Sequence, residues 1–202
     1  SSPSRGLGDV YKRQHLIGEA YFFKNKKINK PMDFSGKNYM SLVEQHNFLI
    51  QLIFPEISNS KSQLQLTESD YEFLLREMSM LPRESEFPKY GEDYYDSYCK
   101  FFIYGNSKER MPDHVKIFNK VGLAYGFLLD NAYIVDFENK IEFFLSAVVY
   151  SNSNGVLNDD SYDYDTLTMP FLADVGRAIY EYELQRDREF DPDLSHLNKI
   201  DS

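Results

Sequence analysis

Apolar positions begin to recur with a helical period just after residue 40. Leu42, Phe48, Leu49, Leu52 and Ile53 share one helical face. Ser41 and Glu44 have the spacing of a capping box, in which each side chain takes a backbone N–H at the helix start. Pro55 ends the segment. A second stripe, Tyr71, Leu74, Leu75, Met78 and Leu81, predicts a helix with Thr67 at its N-cap and Pro82 as its stop. The polar stretch 58–63 separates the two and reads as a loop. A polar linker over 83–92 leads to an aromatic run at 94–104, which predicts a third helix closed by Gly105.

The pattern then shifts to that of strands. Residues 115–121, 131–137 and 141–150 are rich in β-branched and aromatic side chains. Glu138, Asn139 and Lys140 read as the tight turn between the last two strands, and 123–130 as a short loop containing Tyr125 and Gly126. After a polar stretch at 151–165, Leu167, Phe171, Leu172, Val175, Ile179 and Tyr182 form a last helical stripe, with Pro170 tolerated in its first turn. Upstream, 15–37 shows no clean period beyond a short strand at 20–23, and 187–202 reads as a polar, fraying tail. Helices, then an antiparallel sheet, then a closing helix make an α+β pattern in which helices cover the sheet.

Composition narrows the picture. The 202 residues are 42% hydrophobic, enough for the core of one domain or part of one, and the formal charge is −10. That charge disfavours non-specific binding to nucleic acid or anionic membrane. Cys99 is the single cysteine, so an internal disulfide is excluded, and four scattered histidines argue against a structural zinc site. No apolar run reaches the ~18–20 residues that cross a bilayer. Residues Asp9 to Gln14 read Asp-Val-Tyr-Lys-Arg-Gln, the translation of a transposon end used in sequencing libraries. Residues 1–14 are therefore set outside the fold as adapter-derived, which leaves the remainder at −12.

The candidate chemistry centres on Lys120-Val121-Gly122, at the end of the first predicted strand of the sheet. Glycine on a strand permits close approach of a ligand backbone. A strand edge can pair with an extended ligand. The ammonium can stabilise a carboxylate or assist a proton transfer.

The layout around these residues resembles the C-terminal part of class A β-lactamase-like serine hydrolases, the penicillin-recognising fold, which carry Lys-Thr-Gly on a strand beside the active site. The resemblance runs over 41–184 and is carried by 117–122, by Tyr125-Gly126, by the hairpin strands and by the closing helix. It implies that Lys120 is the third-motif lysine, a catalytic group, and that Val121, Gly122 and Leu123 bind substrate. Leu123 would contribute its backbone N–H to the oxyanion hole. It also implies that the N-terminal part of the domain, with the nucleophilic serine and the general base, lies outside this sequence, so that the fragment alone is inactive. Acyl transfer on an amide or ester is the implied reaction, with β-lactam hydrolysis the default, a small-molecule or peptide-like substrate, no cofactor, no metal, and a location outside the cytoplasm, in the periplasm or cell envelope of a bacterium.

One departure matters. Val121 stands where the family has Thr or Ser, and loss of that hydroxyl removes a charge-assisted hydrogen bond worth ~1.5–3 kcal/mol. This keeps open a D-alanyl peptidase or esterase on the same fold. A non-catalytic glycan- or peptide-binding module is the reading from a different class. Two Ser-x-x-Lys matches, Ser58 to Lys61 and Ser97 to Lys100, lie in the wrong places for the family order. Ser69-Asp70-Tyr71 reads as helix capping. Asp159, Asp160, Asp163 and Asp165 lack the spacing of a calcium loop. His46 and His114 have no partner at triad spacing, and Cys99 reads as a small buried hydrophobe on an aromatic helix.

Overall fold

The computed structural model describes residues 15–38, 40–57 and 64–197. Three long strands, β5 (Val115–Ala124), β6 (Phe127–Asp136) and β7 (Ile141–Tyr150), form an antiparallel meander in the order β5-β6-β7. Three α-helices pack on it: α1 (Leu42–Ile53), α2 (Glu68–Ser79) and α3 (Met169–Gln185). The α+β class with an antiparallel sheet is as the sequence pattern predicts.

Strand alternation builds two cores. On one face Val115, Ile117, Leu128, Ala132 and Ile134 meet Leu172 of α3 together with Phe101, Phe102 and Met111. On the other, Phe118, Tyr133 and Val135 meet Leu49 and Ile53 of α1 and Leu75 of α2. The result is a three-layer sandwich with the sheet in the middle. Each fully buried Phe or Leu contributes ~1.5–3 kcal/mol.

Both early helices start as their sequences predict. Ser41 Oγ accepts from Glu44 N while the Glu44 carboxylate takes Ser41 N, and Thr67 and Asp70 repeat the arrangement for α2. Ser69-Asp70-Tyr71 is thus helix capping. The predicted loop at 58–63 lies outside the described residues.

Five local readings change. The stretch after 186, read as a polar, fraying tail, returns to the core: Leu197 is 2% exposed and clusters with Leu49, Ile53 and Phe118. The run 94–104 is not a helix: it holds only the 3-10 turn Asp96–Cys99. Asp96 is buried there, accepting from Arg83 Nε at 3.0 Å and from Met111 N at 2.9 Å. These tertiary bonds fix the segment in a form its helical spacing does not predict. The expected loop 123–130 shrinks to a two-residue turn. Tyr125 (φ 56°) and Gly126 (φ 85°) both have left-handed φ, as a type I′ hairpin requires, so β5 and β6 run on to meet it. The segment 15–37 contains β1 (Leu16–Ile17), β2 (Ala20–Phe23), β3 (Lys26–Ile28) and β4 (Met32–Asp33). β1 pairs with β4 and β2 with β3 inside the segment, and β2 also pairs in parallel with the distant β8 (Val156–Leu157). The polar stretch before α3 ends in a π-turn, Tyr164–Thr168, and Tyr164 OH accepts from Gly126 N at 2.8 Å, tying the hairpin to the start of α3.

Candidate functional site

β5 is an edge strand, so half of its backbone polar groups face away from β6. Which half follows from the hairpin. Ala124 and Phe127 flank the two-residue turn and form a hydrogen-bonded pair, so the odd-numbered residues of β5 point their N–H and C=O outward. Two bonds agree: Val115 N donates to Pro112 O at 3.1 Å, and Val121 O accepts from Lys120 Nζ at 2.5 Å. Asn119, Val121 and Leu123 therefore present backbone groups on the open edge. Lys120 is exposed, with its ammonium folded back onto that edge. At Gly122 an added methyl would sit 3.6 Å from the Leu129 side chain, an ordinary contact. Among the described residues nothing requires glycine there, and its small size leaves space above the sheet.

Two cavities adjoin this stretch. One, of about 340 Å³, is bounded by Lys120, Val121, Asn119, Tyr98 and Phe87. The other, of about 700 Å³, is bounded by Val121, Leu123, Tyr98, Cys99, Asp165 and Met169. The structure thus gathers all four sequence-predicted residues, Lys120, Val121, Gly122 and Leu123, on one open edge, and at least three of them line a cavity.

Beneath the edge lies a buried polar cluster that sequence reasoning missed. Lys100 is 3% exposed and Asp130 fully buried. Lys100 Nζ donates to Met78 O at 2.6 Å and to Asn119 Oδ1 at 2.8 Å. Asn119 Nδ2 donates to Asp130 Oδ1 at 2.8 Å and to Cys99 O at 2.7 Å. The second Asp130 oxygen accepts from Phe101 N and Phe102 N at 3.0 and 3.3 Å. Burial pushes the Asp130 carboxyl up to about 6 and the Lys100 ammonium down to about 8, each resisted by the other's charge. The cluster anchors 99–102 to β5 and β6 directly under Lys120. The only sequence signals were Asn119 inside a predicted strand and a lysine inside an aromatic run, while Asp130 fell in the expected loop.

A second polar row crosses the opposite face. The register places Lys120, Asn131 and Ser146 in line across the three strands. Asn131 Nδ2 donates to Gln45 O at 2.9 Å, so its Oδ1 is the acceptor for the Ser146 hydroxyl at 2.5 Å. The Ser146 proton is thereby committed, and His46 Nδ1, 2.7 Å from Ser146 Oγ, must be the donor. His46 does have a serine partner, then, but the direction of the bonds is wrong for activating it as a nucleophile. Ser97 is likewise spent, donating to Ser107 O at 2.5 Å, while Lys100 points elsewhere. His114 lies 3.3 Å from Glu138 and 3.8 Å from Asp136.

Cys99 is exposed rather than buried on a helix, because its segment forms the 3-10 turn at the protein surface. Its remaining contacts still push the thiol up, away from a reactive thiolate. In the acidic loop, Asp159 and Asp163 are engaged by Asn154, Ser161 and Ser153. Among the described residues no group of three or more acidic, histidine or cysteine side chains could hold a metal, and no helix is long and apolar enough to cross a membrane. Comparison with protein-family models, with curated proteins and with solved structures finds no match, so the chemistry of the site rests on its own residues.

Proposed function

We propose that this chain is part of a serine hydrolase of the β-lactamase and penicillin-binding type, acting by acyl transfer on an amide or ester. The observation that carries this reading is the open β5 edge, where the outward N–H of Leu123 follows Lys120 by three residues beside two cavities. An outward backbone N–H at a strand edge can hold a developing oxyanion. Lys120 supplies positive charge next to it. The open edge, with outward groups on Val121 and Leu123, fits an extended, peptide-like substrate.

The nucleophile in this reading comes from a preceding part of a longer chain. Ser85 and Ser97, which line the two cavities, donate to Pro88 O and Ser107 O, Ser146 in the row with Lys120 donates to Asn131 Oδ1, and Ser107 Oγ accepts from Glu109 N. Val121 offers no hydroxyl to a substrate carboxylate, which favours an ester or a peptide over a standard β-lactam as the better substrate.

The test is to resequence the source DNA upstream of His15, express the extended protein and treat it with a fluorescent penicillin and a small activated ester. A covalent adduct on an upstream serine in a Ser-x-x-Lys sequence is the expected outcome, with no adduct on residues 15–202 alone. Binding without an adduct on any serine would favour the second reading, a glycan- or peptide-binding module. The exposed tyrosines beside Lys120 are the feature that keeps that second reading in view.

A further inference from the structure

A further cavity, of about 390 Å³, opens between the end of α1 and the first half of α2. It belongs to the sheet face away from α3, and it shares no lining residue with the two cavities beside β5. Its floor is apolar: Leu52, Ile53 and Leu75 are buried beneath it. Its rim is anionic. Glu72 stands exposed on the α2 lip, one turn before Leu75 on the same helical face, and Glu56 stands exposed on the other lip, in the 3-10 turn Pro55–Ile57. Among the described residues no cation or hydrogen-bond donor pairs with either carboxylate, and no lysine or arginine lines the cavity.

His196 adds an independent signal. Its ring lines the cavity and packs on Phe54 with centroids 5.1 Å apart. Nδ1 lies 3.1 Å from Asp193 O, and a carbonyl can only accept, so Nδ1 carries the proton and Nε2 the lone pair. Nε2 is buried and accepts no hydrogen bond among the described residues. A buried acceptor without a donor is unfavourable, and an occupant that brings an N–H relieves it. A neutral apolar occupant would answer neither the carboxylates nor Nε2, and an anion would be repelled. Carboxylates on both lips with an apolar floor between them select a molecule that is cationic at both ends and apolar in the middle.

We propose that this cavity binds an alkane diammonium, its methylene stem over Leu52, Ile53 and Leu75, its two ammonium groups directed to Glu56 and Glu72, and one N–H available to His196 Nε2. The site is separate from the β5 edge, so it stands or falls independently of the hydrolase reading.

The experiment is an NMR titration of the 202-residue chain with 1,6-diaminohexane, read on backbone amides and on the His196 ring. Shifts should gather at 52–56, at 71–75 and at His196. Hexylamine should bind about 5-fold more weakly, the scale of one partly exposed ion pair. 1,2-Diaminoethane carries the same charge without the stem and should also bind more weakly, because it leaves the floor uncovered. Glu72→Gln should bring 1,6-diaminohexane down to the level of hexylamine. Glu181→Gln, which removes an exposed carboxylate from α3, should leave it unchanged. Both substitutions are on exposed side chains, and circular dichroism checks that each variant is folded. The chain carries −10, so general attraction of a dication is the competing explanation. Shifts spread over the whole acidic surface, equal affinity for the two diamines, or equal losses in the two variants would overturn the proposal. So would a lysine-containing peptide that shifts these residues where the diamine does not, which would make the cavity a peptide site.

Discussion

The ammonium of Lys100 and the carboxylate of Asp130 are joined through a single side chain, the amide of Asn119, which accepts from one at 2.8 Å and donates to the other at 2.8 Å. Replacing that amide leaves two buried charges without their bridge. Asn119→Leu should destabilise the fold by about 3–5 kcal/mol, the scale for breaking a buried ionic network. Urea unfolding followed by circular dichroism would measure this, and a loss below 1 kcal/mol would show that the cluster is solvated.

The same pair predicts a pH signature. Asp130 has its folded pKa raised to about 6, so between its ordinary value near 4 and pH 6 the folded state holds more protons than the unfolded. Its contribution to stability therefore falls as pH rises through that window. Lys100 is lowered to about 8, so between pH 8 and its ordinary value near 10.5 the unfolded state holds more protons, and stability recovers as pH rises. Relative to a Lys100→Met/Asp130→Asn double variant, the parent chain should be least stable between pH 6 and 8 and gain on both sides, at up to about 1.4 kcal/mol per pH unit. A flat difference across unfolding curves at pH 4.5, 7 and 10 would contradict the assignment.

Gly176 sets how closely α3 approaches the backbone of Phe102 and Ile103. A methyl added there would lie 2.4 Å from Ile103 N and 3.0 Å from Phe102 backbone atoms. Backbone cannot swing aside as a flexible side chain can, so the overpacking outweighs alanine's better helix propensity. Gly176→Ala should lower stability by about 1–3 kcal/mol. Thermal unfolding of the variant beside an exposed control, Glu181→Ala, would read the effect.

Thr67 closes the capping box of α2, whose face covers Phe118 of β5. Thr67→Ala should cost about 1 kcal/mol. Hydrogen exchange should localise the loss to the first turn of α2, with protection at Leu75 changing only by the global amount.

Read from the sequence alone, the helices α1, α2 and α3 and the strands β5, β6 and β7 were legible. The information needed is local: apolar period, Ser41–Glu44 and Thr67–Asp70 caps, and stop signals at Pro55 and Pro82. The position of Lys120, Val121 and Gly122 at a strand was legible for the same reason, whereas Leu123, expected in a loop, lies in β5. What the sequence could not supply depends on partners distant along the chain. The run 94–104 has helical spacing, but Asp96 finds Arg83 and Met111, and Lys100 finds Asn119, so those bonds override local preference. That β5 is the edge, that its odd-numbered amides face outward, and that a buried charge cluster lies beneath Lys120 follow from strand order and register. Those are set by burial of two apolar faces against three helices, a balance no local stretch of sequence contains.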